Sequence, residues 1–108
     1  MKRLLPLLVA YICSAPALAQ TPYDKDLPSD PASVYKRVCS FCHDDGQIGA
    51  PIIGDKKAWE PYLLLDRETL YDLVLEGVGH MPARRKRRDY TDDDLKGAVD
   101  YLLDKVGD

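Results

Sequence analysis

The chain has 108 residues, 31% of them charged and 45% hydrophobic, with 15 Lys and Arg against 18 Asp and Glu, a formal charge of −3. That length builds one small domain with a modest core, of the kind that commonly leans on a cross-link or a bound cofactor. The negative balance argues against nucleic acid as a partner, because a phosphate backbone is bound by an excess of cations.

Residues 1–19 have the form of a secretory signal peptide. Lys2 and Arg3 make the charged start, Leu4 to Leu18 is predominantly apolar, and Ala17-Leu18-Ala19 is an A-x-A-like cleavage site before Gln20. The run is too short and too abruptly ended for a membrane anchor. Cleavage leaves 89 residues with no integral membrane segment, and the loss of Lys2 and Arg3 leaves 13 Lys and Arg against 18 acidic residues, a formal charge of −5. Export points to the periplasm, an oxidising compartment. Cys13 lies in the apolar stretch and leaves with it; a lipoprotein role for Cys13 is opposed by the bulky Tyr11 and Ile12 before it.

Residues 20–29 hold two prolines and no apolar period, and read as a flexible leader to a domain spanning 30–108. Asp30 and Pro31 suit the N-cap and first position of a helix in which Val34, Tyr35 and Val38 recur at helical spacing. That helix runs into Cys39-Ser40-Phe41-Cys42-His43. Asp44 to Asp55 contains three glycines and Pro51 and reads as a loop. A short helical piece follows through Lys57, Ala58 and Trp59 until Pro61. From Asp66, another N-cap, Leu70, Leu73 and Val74 line one face of a helix that ends near Gly77 and Gly79.

His80-Met81-Pro82 comes next, and proline keeps it out of a helix. Arg84-Arg85-Lys86-Arg87-Arg88 is an uninterrupted basic run. Thr91 with Asp94 forms a capping-box-like start, and Asp92, Asp93 and Asp94 suit the positive end of the helix dipole. Leu95, Ala98, Val99, Leu102, Leu103 and Val106 then fall at offsets 0, 3, 4, 7, 8 and 11, the clearest amphipathic helix in the chain. Gly97 inside it costs about 1 kcal/mol against alanine and marks a close helix crossing. No strand pattern or repeat competes, so the expected class is all-α.

The C-x-x-C-H run is the covalent attachment signature of c-type haem. Two thiols three residues apart, Cys39 and Cys42, can each add to a vinyl group on one porphyrin edge, and His43 is directed at the iron as proximal ligand. A redox dithiol would want a βαβ context, which is absent. Zinc held by Cys39, Cys42, His43 and His80 is arithmetically available, but the adjacent Cys42 and His43 suit one tetrahedral site poorly. Met81, 38 residues beyond His43, is the one thioether left after the signal and stands as the second axial ligand. A His/Met pair fills both iron faces and raises the potential. His80 beside it offers a nitrogen ligand as pH rises and its ring deprotonates; otherwise it is an exposed or propionate-side histidine.

These residues resemble the class I monohaem cytochromes c, of the small bacterial cytochrome c-five-like kind. The resemblance runs over residues 32–106 and includes Tyr35, the C-x-x-C-H run, Ala50-Pro51, Gly54-Asp55-Lys56, Ala58-Trp59, Pro61, Leu70-Tyr71, Gly77, Met81-Pro82 and Ala98-Val99-Asp100-Tyr101. It implies an all-α class I cytochrome c fold, about three to five helices wrapped around one covalently attached haem c. The first and last helices would cross at one haem edge, with the other edge partly exposed. It also implies an electron-transfer protein rather than an enzyme.

By the same resemblance the Pro51 carbonyl accepts the proton of the proximal imidazole, and Trp59 lies near a propionate. Two departures stand out. Where relatives often continue x-Pro-Arg after the tryptophan, Pro61 precedes Tyr62, so that a propionate partner is lost or is Tyr62 itself. After Met81-Pro82 the basic run replaces a Lys-Gly-Gly-like turn or, in some relatives, a cysteine pair.

The expected function is periplasmic one-electron outer-sphere transfer between respiratory or dehydrogenase partners. A dedicated haem c subunit of an oxidoreductase complex and a haem-based ligand sensor, in which Met81 leaves the iron, are the alternatives. Arg84, Arg85, Lys86, Arg87 and Arg88 are either a solvated surface or a docking face for an acidic redox partner.

Overall fold

The computed structural model describes residues 26–106, so the signal peptide 1–19, Cys13 and residues 20–25 of the leader lie outside the described residues. Within them, α1 starts as an α-helix at Pro31–Val34, widens to a π-helix at Tyr35–Cys39 and closes with an α-turn at Ser40–His43. Three further helices follow: α2 at Lys56–Leu63, α3 at Arg67–Glu76 and α4 at Asp92–Val106. The one β-type pairing among the described residues is an isolated bridge between Val78 and Met81. The class is all-α, as expected.

Each helix starts on local polar chemistry. The Asp30 carboxylate accepts from the Ser33 amide at 3.1 Å, with Pro31 in the first turn, where its missing N–H costs nothing. Asp55 and Asp66 accept from the amides of Ala58 at 3.3 Å and Thr69 at 3.0 Å. Thr91 and Asp94 close a reciprocal capping box, both bonds at 3.1 Å.

The core forms where α1 lies across α4. Val34, Tyr35 and Val38 from one side meet Leu95, Ala98, Val99, Leu102, Leu103 and Val106 from the other, joined by Trp59, Leu70 and Tyr90. Val34 and Leu95 are fully buried, which stabilises the fold by about 1.5–3 kcal/mol for each such side chain. At the crossing, a Cβ on Gly97 would stand 3.4 Å from Pro31 Cγ, so Gly97 does lie against α1. On the outer side, Asp100 of α4 accepts from Tyr71 and Arg67 of α3, both at 2.6 Å.

Two local expectations need correction. The helix expected to stop at Pro61 continues to Leu63: the proline forfeits one backbone donor, and only Tyr62 and Leu63 lie beyond it. The helix leading into the cysteines is regular only at its ends, because the Ser40 amide reaches back to the Tyr35 carbonyl, one residue further than an α-helix allows. In the leader, Leu27 is half-buried against the core despite the lack of any apolar period around it. No helix among the described residues is long and apolar enough to cross a membrane.

Candidate functional site

A cavity of about 280 Å³ opens between the end of α1, the loop after it, α2, α3, the Met81 segment and α4. It brings together Cys39, Cys42, His43, Pro51, Trp59, Tyr62, His80, Met81 and Arg85. Every haem-site residue expected from the sequence is on this one wall set. The remaining lining is largely aliphatic, from Leu70, Leu73 and Val74 on α3 and Ala98, Val99, Leu102 and Leu103 on α4. The faces that α3 and α4 turn inward thus serve both the core and the cavity.

His43 is fixed twice by the segment that follows it. Its Nδ1 lies 2.8 Å from the Pro51 carbonyl oxygen, and its own carbonyl accepts from the Ile53 amide at 2.7 Å. A carbonyl only accepts, so Nδ1 carries a proton, which leaves Nε2 as the nitrogen available to a metal. Between those residues, the Ile52 carbonyl accepts from the Trp59 indole N–H at 2.8 Å. The Trp59 ring stands 5.6 Å from the His43 ring and 5.8 Å from that of Tyr62, which meets it edge-on at the exposed rim.

Cys39 and Cys42 are both buried and unpaired. Burial pushes the Cys39 thiol up to about 12, opposed by the nearby positive charge of Arg85. A thiol held protonated at neutral pH is a poor redox nucleophile, which counts against the dithiol alternative. Among the described residues no three His, Cys, Asp or Glu side chains converge on a metal position, so the four-ligand zinc set is not assembled.

Met81 is presented by a tight reversal. Val78 and Met81 exchange both backbone bonds, at 3.0 and 2.8 Å, around Gly79 and exposed His80. The half-buried Met81 points from a segment that crosses directly over Gly77: a Cβ there would lie 2.8 Å from the Ala83 amide nitrogen and 3.0 Å from the Met81 carbonyl oxygen. Gly77 also has φ of +89°, open to glycine and strained for other residues. The sequence marked it as a helix end; its close approach to the Met81 segment leaves no local signature.

The basic run is neither uniformly solvated nor ordinary in backbone. Arg84, Arg85 and Lys86 have φ of +54°, +51° and +61°, the left-handed region where non-glycine residues cost about 1–2 kcal/mol each. This is the stretch where the resemblance places a glycine-containing turn. Its contacts offset the strain: Arg84 pairs with Asp92 and donates to the Tyr90 carbonyl at 2.6 Å, and Arg87 forks onto Asp89 at 2.9 and 2.6 Å. Arg85 turns inward to the cavity, while Lys86 and Arg88 remain exposed.

An imidazole with a free Nε2, a thioether, two reduced thiols at one helix end and aliphatic walls fit a flat porphyrin. Comparison with known proteins agrees. Residues 26–102 match the family model described as cytochrome c oxidase, cbb3-type, subunit III. The chain is 38% identical over 81 residues to cytochrome c-551 of Halorhodospira halochloris, covering 71% of this chain and 99% of that one. It is 35% identical over 68 residues to cytochrome c5 of Ectopseudomonas mendocina, covering 59% and 76%. A chain in the crystal structure of the electron transfer complex of nitrite reductase with cytochrome c superposes with a TM-score of 0.67 at 35% identity, covering 73% of this chain and 95% of that one. The chain therefore belongs to the cytochrome c family, as a class I monohaem electron-transfer protein that carries one covalently attached haem c rather than an enzyme.

Proposed function

We propose that Cys39 and Cys42 hold the haem through thioether bonds, that His43 Nε2 and Met81 Sδ are its axial ligands, and that Pro51, Trp59 and Tyr62 shape its pocket. The observation that carries this is the 2.8 Å bond from His43 Nδ1 to Pro51, which leaves Nε2 as the free donor in a cavity that also holds both thiols and Met81. The haem supplies a one-electron couple. The chain's part is to close both axial positions, exclude water with the aliphatic walls of α3 and α4, and keep the ligands in place in both oxidation states.

The carrier works in the periplasm, exported by residues 1–19, and meets its donor and acceptor at the cavity mouth. There Ile48 and Val78, both lining residues, expose apolar surface. Lys86 and Arg88 lie close by in sequence to Met81 and present positive charge on an otherwise acidic chain, which suits an acidic redox protein approached by electrostatic steering. The solved complex of a related cytochrome c with nitrite reductase supports a redox protein as the partner.

A second reading has its own support. Leu63, Leu64 and Leu65, at the α2–α3 junction, are exposed in succession, Leu64 by 87%, which suits a subunit held in a larger complex. The family description naming an oxidase subunit points the same way.

Mass spectrometry of protein matured with a cytochrome assembly system, together with spectra in both oxidation states, tests the site. The expected result is one haem added covalently, a low-spin reduced spectrum, the weak far-red band of an oxidised iron–thioether bond and resistance to carbon monoxide. A mass equal to bare polypeptide overturns the attachment, and survival of the far-red band in a Met81→Ala protein overturns the axial assignment. Co-purification with a larger complex decides for the subunit.

A further inference from the structure

Arginine joins the two segments that carry the axial ligands. Within the π-helical part of α1, backbone carbonyls turn to side chains: the Ser40 hydroxyl donates to the Lys36 carbonyl, Arg87 Nη1 to the Arg37 carbonyl at 3.4 Å, and Arg85 Nε to the Val38 carbonyl at 3.2 Å. Val38 immediately precedes Cys39, and Arg85 lies four residues beyond Met81. The guanidinium carbon of Arg85 also stands 5.5 Å from the ring centre of Phe41, inside the C-x-x-C-H run.

Arg85 is therefore held by a carbonyl, a ring face and its own left-handed backbone. It is half-buried and lines the haem cavity, whereas Arg88 of the same run is exposed. Arginine does not lose its proton, so this is a permanent charge in a partly dry place, where screening is weak. A fixed cation disfavours the extra positive charge of an oxidised iron and so favours the reduced state.

We propose that Arg85 is a positioning residue that ties the Met81 segment to the haem-bearing helix and biases the bound haem toward reduction. The proposal rests on the haem ligation stated above. It separates Arg85 from its exposed neighbours, which contribute surface field alone.

The test uses holo-protein carrying Arg85→Gln, Arg85→Lys or Arg88→Gln. Redox titration at low and high salt reads the potential, and the far-red band followed through guanidinium addition reads retention of Met81. Arg85→Gln lowers the equilibrium constant for reduction by about threefold to tenfold at both salt levels, tenfold being about 59 mV for one electron, and loses the band at lower denaturant. Arg85→Lys keeps the potential within about twofold yet still loses the band early, because a compact ammonium cannot bond the carbonyl and cover the ring together. Arg88→Gln leaves both readouts near wild type at high salt.

Equal shifts in Arg85→Gln and Arg88→Gln that vanish with salt overturn the proposal, as does an Arg85→Lys band as durable as wild type. The second comparison stands even if Arg85→Gln fails to mature. A wild-type protein without the band overturns the Met81 ligation first and this inference with it; a wild-type band with indifferent Arg85 variants overturns this inference alone.

Discussion

The Trp59 indole donates to the Ile52 carbonyl at 2.8 Å, one residue along from the carbonyl that engages the His43 ring. With the Ile53 amide bonded to the His43 carbonyl at 2.7 Å, three consecutive residues of one loop are fixed, two by rings and one by backbone. Trp59 thus bears on His43 through the loop that orients it, as well as by packing beside it.

Trp59→Phe keeps an aromatic ring in the core and removes the N–H. The Ile52 carbonyl then loses its donor, at a cost of about 1–3 kcal/mol for a part-buried acceptor. Denaturant unfolding of the holo-protein reads the loss. A rise in potential should accompany it, because a loosened Ile52 weakens the neighbouring Pro51 bond to His43 Nδ1 and with it the basicity of the imidazole. Wild-type stability together with wild-type potential would show that the loop holds His43 without Trp59.

Acid weakens the fold through its caps. Hydrogen bonds from Ser33 hold the Asp30 carboxyl below its ordinary value, those from Thr69 do the same for Asp66, and the Arg87 guanidinium does so for Asp89. A carboxyl lowered in the folded state contributes stability that is present above its unfolded value, about 3.9, and is lost as pH falls through the folded one. Stability should therefore be level from neutrality to about pH 5 and fall below about pH 4. Asn also caps helices and does not titrate, so Asp66→Asn should match wild type at neutral pH and lose less on acidification. Urea unfolding across that range checks it; an unchanged acid slope would remove Asp66 from the account.

What the sequence revealed was what lies close along the chain. The caps at Asp30, Asp66 and Thr91 act over three residues, and the six apolar positions of α4 from Leu95 to Val106 are all buried. Cys39, Cys42 and His43 were legible from spacing, and Pro51, Trp59 and Tyr62 through resemblance; one cavity gathers them with Met81. The π-helical widening at Tyr35–Cys39 was not legible, nor were the links from Arg85 and Arg87 to α1, which span 47 and 50 residues. Such bonds leave no period in the chain. Five cations in a row look like solvated surface unless the carbonyls they meet are known.

Gly97→Ala is expected to stabilise. Alanine is about 1 kcal/mol better than glycine inside a helix, and its Cβ would meet Pro31 Cγ at 3.4 Å, the near edge of ordinary contact. The gain should be about 0.5–1 kcal/mol by denaturant unfolding, with an unchanged spectrum. A loss instead would mean that α1 and α4 cannot part by the few tenths of an ångström that a methyl group asks.

Gly77→Ala should do the opposite, and at the iron. Its φ of +89° is strained for alanine, and the added Cβ would sit 2.8 Å from the Ala83 nitrogen and 3.0 Å from the Met81 oxygen. Both obstacles are backbone, so no side chain can swing aside; the Met81–Ala83 segment itself has to move. Left-handed strain of about 1–2 kcal/mol adds to that displacement. The holo-protein should lose stability by about 2 kcal/mol or more, within the range of strained glycine replacements. Because the displaced segment carries Met81, the far-red iron–thioether band should weaken and carbon monoxide should bind the reduced protein. Gly79→Ala is the control: it too has positive φ, at +54°, but nothing stands within 4 Å of its Cβ. Strain alone would give both variants the same spectrum, whereas close approach at Gly77 predicts loss of the band in that variant only.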